Sequence, residues 1–230
     1  MNIVFGILIL LLIIIIAYLV KNKVVFRFDT LFRKGFKLLH DRYGCYCFTG
    51  KQGSGKTYSV IDFINSTRGK HQKVITNVYS YYLNNKGFCI YEDNFYNIIK
   101  GFKNGLYNKD YIIFYDEIFT LLEKGKLDRS ILSFISQLRK RGIFLVTTAQ
   151  EWLEINVTFR RYVRYQIDCK LWNLPLFNCA FSINEINDGY AMTWDNIQNE
   201  YVAPRLKTTI KKCSKKLADS YDTFEVIKEV

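Results

Sequence analysis

Three glycines, a lysine and a threonine at fixed spacing in residues 50–57 constrain the fold of this chain more than any other feature. The segment reads Gly-Lys-Gln-Gly-Ser-Gly-Lys-Thr, which fits the pattern G-x-x-x-x-G-K-[ST] at every fixed position. An apolar and aromatic run over residues 43–49 precedes it, and residues 58–64 can form a helix with an apolar face. A strand, a glycine loop and a helix start together point backbone N–H groups at a phosphate. The pattern therefore predicts a nucleoside triphosphate site, against the alternative of a chance glycine-rich turn.

The motif assigns roles to its side chains. We expect Lys56 to reach the β- and γ-phosphates and the Thr57 hydroxyl to bind Mg²⁺, so ATP and Mg²⁺ are the predicted cofactors. The residues expected to contact the nucleotide are Gly50, Lys51, Gln52, Gly53, Ser54, Gly55, Lys56 and Thr57.

Two acids follow a second candidate strand. Residues 111–115 are apolar without a break, as expected of a strand covered on both faces, and Asp116 and Glu117 come next. We expect Asp116 to hold Mg²⁺ directly or through water, and Glu117 to accept a proton from the attacking water or to orient it. The alternative is a pair of acids that only solvate a strand end. An adjacent Asp-Glu pair indicates hydrolysis rather than transfer to a small acceptor.

A third candidate strand covers residues 142–148, and Gln150 lies just beyond it. Ligands gather at the carboxyl ends of strands in open α/β sheets, so Gln150 should face the same crevice as Lys56 and Asp116. Its amide could sense the γ-phosphate or position water, unless it is an ordinary loop glutamine. Thr147 and Thr148 are interpreted as strand residues.

Residues 3–20 carry no charge and predict a membrane anchor. A helix of that length spans about 27 Å, enough for a hydrocarbon core. A cleaved signal peptide would need a basic start and a cleavage site, and a buried core helix is the other alternative. Basic residues follow the segment, which indicates a single-pass protein with its C-terminal domain in the cytoplasm. The membrane would be the host inner or plasma membrane or a virion membrane.

The net charge of +12 predicts an anionic partner. Basic residues group at positions 139–141, 160–164 and 205–216, in addition to the cluster that follows the apolar segment. Phosphate backbones attract such patches without sequence preference, and anionic lipids do so near a membrane. We expect DNA at the later patches and lipid at the first, with a solvated surface as the alternative.

Four segments divide the chain. They are an anchor over residues 1–20, a basic connector over 21–42, an α/β nucleotide-binding domain over 43–204 and a basic tail over 205–230. Further strands are expected at 73–78 and 164–169, with helices at 93–102 and 127–141. Alternating strands and helices predict a three-layer domain with a mainly parallel sheet. Residues 187–189 predict a hairpin turn between strands at 177–186 and 190–194.

The order of these motifs resembles a known group of ATPases. The glycine loop, the Ile-Thr-Asn that ends at Asn77, Asp116-Glu117 and the Thr-Ala-Gln that ends at Gln150 resemble the FtsK/HerA superfamily of P-loop ATPases. Within it the chain is similar to zonula occludens toxin-like proteins of filamentous phages and to phage genome-packaging ATPases. The resemblance covers residues 43–170. Unlike the toxin-like proteins, this chain has its apolar segment before the ATPase region rather than after it.

The resemblance implies several properties. It implies the sheet order 5-1-4-3-2 of ATPases with a catalytic glutamate, a homo-oligomeric ring, often a hexamer, and an arginine supplied to the γ-phosphate by a neighbouring subunit. Arg160 and Arg161 are the first candidates for that arginine, followed by Arg139 and Arg141.

These patterns lead to one preferred function. The chain is interpreted as a membrane-anchored ATPase that drives DNA translocation in phage morphogenesis, by packaging or extrusion, with other assembly or capsid proteins as further partners. The alternative is a nucleotide-switched membrane scaffold that does not pump DNA.

Overall fold

The computed structural model describes residues 2–27, 43–68, 72–108, 111–118, 128–174, 179–191, 193–195 and 200–222. The helices in these ranges are α1 Asn2–Lys21, α2 Lys56–Thr67, α3 Tyr79–Asn84, α4 Phe95–Lys103, α5 Arg129–Ser136, α6 Leu138–Arg141, α7 Val157–Arg160 and α8 Lys215–Ala218. The strands are β1 Val24–Arg27, β2 Gly44–Thr49, β3 Lys73–Thr76, β4 Cys89–Tyr91, β5 Tyr111–Tyr115, β6 Phe144–Ala149, β7 Val163–Leu174, β8 Cys179–Asp188, β9 Thr193–Asp195, β10 Glu200–Val202 and β11 Arg205–Lys212.

The N-terminal helix α1 contains the apolar segment. Its large apolar side chains from Phe5 to Val20 are exposed, except for that of Leu19, which is partly buried. Side chains are described only from Phe5 onward, and in the described part of the chain no helix is long and apolar enough to cross a membrane. The predicted transmembrane segment over residues 3–20 is therefore not confirmed.

Nine strands form one mixed sheet in the order β1-β11-β8-β7-β2-β6-β5-β3-β4, while β9 and β10 pair with each other. The six strands β7-β2-β6-β5-β3-β4 are parallel to one another. The strand β8 runs antiparallel to both β7 and β11. The implied five-stranded order is wrong for the sheet as a whole, because β4 extends one side and β8, β11 and β1 extend the other. Five consecutive strands, β7-β2-β6-β5-β3, have the succession 5-1-4-3-2 when these five alone are numbered in chain order.

Helices cover both faces of the central strands, which gives the predicted three layers. One core lies between the sheet and α2 and includes Val60, Ile61 and Ile64. The other lies between the sheet and α4 to α7 and includes Ile98 and Phe134. The strands β2 and β6 are buried at all six positions each, since both of their faces are covered. This double burial explains their continuous apolar sequences.

The prediction of a hairpin around residues 187–189 is wrong, because the strands on either side of this turn do not pair with each other. The strand β8 forms its ladders with β7 and β11, while β9 pairs with β10. The segment assigned to the basic tail also contributes β11 to the sheet, and β1 from the predicted connector pairs with it in parallel register. The many polar residues of β11 hide its role, because only two of its eight positions are buried.

Candidate active site

The loop of residues 50–57 joins the end of β2 to the start of α2, as predicted. The Gly50 N–H donates to the backbone oxygen of Gln150 at 3.1 Å, and the Ser54 N–H donates to Lys51 O at 3.0 Å. Gly50 has φ +147°, and a Cβ there would lie 2.5 Å from Ser54 Oγ and 2.7 Å from Cys169 O. Only glycine fits this turn, because both the backbone angle and the space exclude a side chain.

Lys56 is the first residue of α2, directly after Gly55 in the left-handed conformation. Its ammonium donates to Gly50 O at 2.7 Å and to Lys51 O at 3.3 Å. These bonds hold the positive charge over the loop, on the same side as the N-terminal end of α2. Backbone N–H groups and a fixed ammonium at a helix start form a site that attracts phosphate.

Asp116 follows β5 at the same edge of the sheet. Its Oδ1 accepts a short hydrogen bond from the Thr148 hydroxyl, which comes from the neighbouring strand β6. Asn77, just beyond β3, bonds the Asp116 backbone twice: its Oδ1 accepts from Asp116 N at 2.8 Å and its Nδ2 donates to Asp116 O at 3.1 Å. Three neighbouring strands therefore fix the position of this carboxylate.

Glu117 adopts an uncommon backbone conformation, with φ +52°. A residue with a side chain in this region is strained by about 1–3 kcal/mol, and such strain is concentrated at functional sites. The Glu117 N–H donates to Thr148 Oγ1 at 2.8 Å, so one hydroxyl bonds both acids of the pair. The turn directs the chain away from the β-strand path immediately after Asp116.

Electrostatics link the loop to the acid pair. The pKa of Asp116 is raised to about 6, mainly by burial and also by the adjacent Glu117, although the Thr148 hydrogen bond and the Lys56 ammonium act to lower it. The strands β2, β6 and β5 are parallel neighbours in this order, so the loop after β2 and Asp116 after β5 lie at the same edge of the sheet. A partly buried carboxylate with a raised pKa is stabilised in its ionised form by an added cation.

The residues present fit ATP and Mg²⁺. The loop backbone forms a cradle that a Cβ at Gly50 would fill, and Ser54 Oγ within it is buried without a protein partner. The Thr57 hydroxyl and the Asp116 carboxylate are oxygen donors of the kind that Mg²⁺ prefers. A triphosphate and its magnesium ion therefore match the donors and acceptors at this edge.

The remaining predicted residues are placed differently. Gln150 lies just beyond β6 with an exposed side chain, and its backbone oxygen holds Gly50. Arg160 ends α7 with its guanidinium 5.9 Å from the centre of the Trp152 ring, and Arg161 is exposed. Both arginines precede the first residue of β7, at the edge opposite the loop, since β7 runs parallel to β2. The structure does not bring them to Lys56 of the same chain.

Two site residues were missed from the sequence. Thr148 was interpreted as a strand residue, and Asn77 entered only through the motif resemblance. Both are buried polar residues at the carboxyl ends of strands. That position was the available signal, because polar side chains at those ends point into the crevice of a parallel sheet.

No protein-family model matches the chain, and no curated protein matches it in sequence. Among solved structures it is similar to the N-terminal domain of zonular occludens toxin from Neisseria meningitidis, with 16% identity over 78% of this chain and 98% of that one, and a TM-score of 0.49. It is also similar to the genome packaging NTPase of Sulfolobus turreted icosahedral virus 2 in complex with ATP-gammaS, with 14% identity over 56% of this chain and 76% of that one, and a TM-score of 0.44. A third similar structure is the flagellar accessory protein FlaH from Methanocaldococcus jannaschii, with 12% identity over 62% and 77% of the chains and a TM-score of 0.42.

The descriptions of the first two proteins, a zonular occludens toxin domain and a genome packaging NTPase, name the kinds of protein that the motifs resemble. All three TM-scores lie below 0.5 and all three identities below 25%, so these similarities assign no function to this chain.

Proposed function

We propose that this protein is an ATPase that binds ATP with Mg²⁺ at the edge formed by the ends of β2, β5 and β6. The observation that carries the proposal is that the glycine loop with Lys56 and the Asp116 carboxylate follow the ends of parallel strands at one edge of the sheet. Glu117 is fixed next to them by Thr148. A phosphate cradle beside two acids suits hydrolysis, since phosphoryl transfer needs positioning and charge stabilisation more than covalent help.

Each residue has a stated part in the proposed reaction. The loop N–H groups and Lys56 bind the β- and γ-phosphates, and Thr57 and Asp116 hold the metal ion. The bound Mg²⁺ neutralises charge on the phosphates. Glu117 orients the attacking water and accepts its proton, and the Gln150 amide contacts the γ-phosphate or that water. The Asn77 and Thr148 hydrogen bonds keep both acids in place.

A second copy of the chain would supply the arginine. Arg160 and Arg161 lie at the edge opposite the loop, so an arginine from either position reaches a γ-phosphate only across a subunit boundary. This placement supports a homo-oligomeric assembly, for which a hexameric ring is the expected form. Arg139 and Arg141 are further candidates at the same edge.

We extend the proposal to DNA translocation in phage morphogenesis, by packaging or extrusion, on the basis of the motif order and the net charge of +12. A membrane anchor is proposed from the uncharged sequence of residues 3–20 and from the exposed apolar side chains along α1. Lipid would remove those side chains from water. Flotation of the full chain with vesicles tests the anchor, and recovery only in the dense fractions would contradict it.

Hydrolysis by the full chain, with and without DNA, tests the central proposal. Wild type should hydrolyse ATP in Mg²⁺ buffer and turn over faster when duplex DNA is added at low salt, since phosphate contacts weaken with salt. Lys56→Ala should abolish turnover, while the exposed Lys73→Ala serves as a matched loss of one positive charge and should turn over normally.

Glu117→Gln separates binding from chemistry. It should bind a fluorescent ATP analogue as wild type does and hydrolyse ATP at least about 100-fold more slowly, as loss of a general base predicts. Loss of analogue binding would remove Glu117 from this role. Hydrolysis that DNA does not change would instead support the nucleotide-switched scaffold, and absence of hydrolysis in wild type would refute the ATPase.

A further inference from the structure

Basic side chains gather at the edge of the sheet opposite the glycine loop. The neighbouring strands β7, β2 and β6 begin there, with Gly44 paired to Phe144 and Cys45 to Val163. The short helices α6 and α7 both end at this edge, each with arginine in its last turn. We call the resulting surface the basic rim; it consists of Arg139, Lys140, Arg141, Arg160, Arg161 and Arg164.

Aromatic side chains lie among these charges. The Arg164 guanidinium lies 4.8 Å from the centre of the Tyr190 ring and 5.3 Å from that of Tyr165. The Tyr190 hydroxyl is hydrogen-bonded to Arg139. Burial raises the pKa of Tyr190, and the charges of Arg139 and Arg164 offset part of that rise. Tyr43 and Tyr190 are 40% and 44% exposed, so both rings are available to a ligand.

The acid that faces Arg164 is Asp188 at the end of β8. Asp188 also accepts from Tyr190 N at 3.0 Å, so it is engaged within the edge. Lys140, Arg141 and Arg161 have exposed side chains. Three positive charges of the basic rim therefore face solvent.

Helix capping accounts for only part of this charge. Basic residues favour helix C-terminal ends because of the helix dipole, and α6 continues α5 through Gln137. In contrast, α7 has four residues and little dipole, and Arg161 and Arg164 lie outside the helices. The rim is also remote from the glycine loop. The strand β2 has five steps of about 3.3 Å from Gly44 to Thr49, which separates the two edges by about 17 Å.

We propose that the basic rim binds the phosphate backbone of a nucleic acid, with Tyr43 and Tyr190 contacting exposed bases. Clustered arginine and lysine with interleaved aromatic rings is the surface that nucleic acids require: cations bind the backbone and rings stack on bases. The proposal rests on the DNA-handling part of the proposed function and adds a location. It places nucleic acid and nucleotide at opposite edges of the same parallel strands.

A charge-reversal pair with equal charge change tests the location. The rim variant carries Lys140→Glu, Arg141→Glu and Arg161→Glu, and the control variant carries Lys73→Glu, Lys86→Glu and Lys100→Glu, all at exposed positions. Binding of the full chain to a fluorescent 30-base-pair duplex is measured by anisotropy at several salt concentrations. Thermal unfolding by circular dichroism verifies that each variant is folded, and the corresponding triple alanine variants replace any that is not.

The rim variant should bind the duplex more than tenfold more weakly than wild type. The slope of log K against log salt should become less steep by about 2–3, because each phosphate contact contributes about 0.9 to its magnitude. The control should change less than threefold. Equal losses in both variants would show a diffuse charge effect and overturn the proposal. A different result would overturn the proposal: the rim variant binds DNA as wild type does but loses hydrolysis, and mixing it with Lys56→Ala subunits restores hydrolysis. This edge would then belong to the nucleotide site of the neighbouring subunit.

Tyr43 gives an independent measurement. Tyr43→Ala should weaken binding of a single-stranded oligonucleotide at least fivefold and duplex binding less, because stacking needs an unpaired base. Tyr43→Phe should retain wild-type affinity, and equal behaviour of the two variants would refute stacking. If wild type binds no nucleic acid, the rim proposal fails while the hydrolysis tests of Lys56 and Glu117 keep their outcome.

Discussion

The central and outer strands of the sheet are built on different principles. The strands β2, β5 and β6 are buried on both faces, and their polar residues lie mainly at the carboxyl ends. The outer strands β8 and β11 mix buried with partly exposed positions and carry polar residues inside the fold. Apolar burial thus makes the centre a rigid support for the site, whereas specific polar contacts attach the outer strands.

The helix α2 joins both regions. Its apolar side chains pack on the central strands, while Ser59 bonds Ser182 Oγ and Asn184 Oδ1 of β8 at 3.0 Å each. One turn further on, Asp62 forms an ion pair with Lys211 of β11. Because α2 begins with Lys56, contacts from the outer strands restrain the helix that carries the phosphate site. The outer strands therefore belong to the support of the site.

The largest expected effect comes from breaking the ion pair. The side chains of Lys211 and Asp62 are only 12% and 11% exposed, so Lys211→Met leaves a buried carboxylate without its cation. Removal of one partner of a buried pair costs about 3–5 kcal/mol. Urea unfolding should show this loss in the free energy of unfolding.

A double variant separates charge from packing. Asp62→Leu combined with Lys211→Met should recover most of the loss, since apolar residues often replace a buried ion pair without net cost. If Lys211→Met changes stability by less than about 1 kcal/mol, the polar attachment of the outer strands is not important and the contrast between the regions is weakened.

A somewhat smaller, pH-dependent effect is expected at Asp116. Burial raises its pKa to about 6, so between the unfolded pKa near 4 and this value the folded chain binds more protons than the unfolded one. The wild-type free energy of unfolding therefore falls as the pH rises through this window.

Asp116→Asn removes that titration. Its gain in the free energy of unfolding over wild type should grow from near zero at pH 4 to about 2–3 kcal/mol at pH 7.5. Denaturant unfolding of both proteins at each pH measures this difference. Added Mg²⁺ should reduce the difference, because it stabilises the wild-type carboxylate. A gain that does not vary with pH would contradict burial of a titrating carboxyl at this position.

The smallest effect distinguishes two adjacent threonines of β6. Thr148→Val removes the hydroxyl that bonds Asp116 and the Glu117 N–H, and should cost about 1–2 kcal/mol. It should also raise the pKa of Asp116 and the Mg²⁺ concentration needed for hydrolysis. Thr148→Ser keeps the hydroxyl and should restore both.

Thr147→Val is the matched control one residue away. Thr147 Oγ1 is buried and has no hydrogen-bond partner among the described residues, so its removal should be neutral or stabilising. Equal costs at both positions would show that general packing, rather than the bonds to the acid pair, determines the effect of Thr148.

The sequence predicted the central region well because its signals are local. The strand at residues 111–115 has the predicted bounds, and the glycine loop lies between a strand and a helix as its spacing requires. Continuous apolar runs and a complete motif leave few alternatives. The Asp116-Glu117 pair was located by its place after such a run.

The outer strands and the supporting residues could not be predicted in the same way. The sequence of β11 is basic and polar and does not resemble a sheet strand. Its largely buried Lys211 is neutralised by Asp62, which lies 149 positions earlier in the chain. Asn77 likewise depends on Asp116, which lies 39 positions away. Such pairs form through tertiary packing, and no local period of the sequence records them.

The parallel ladder between Val24–Arg27 and Thr208–Lys211 has a practical consequence for anyone who shortens this protein. A truncation that ends before Val24 retains β1. A deletion through Arg27 removes β1 and exposes the amide and carbonyl groups of Thr208–Lys211, which can then pair with another copy of the chain. Solubility of expressed fragments should therefore change abruptly across those four residues rather than gradually with length.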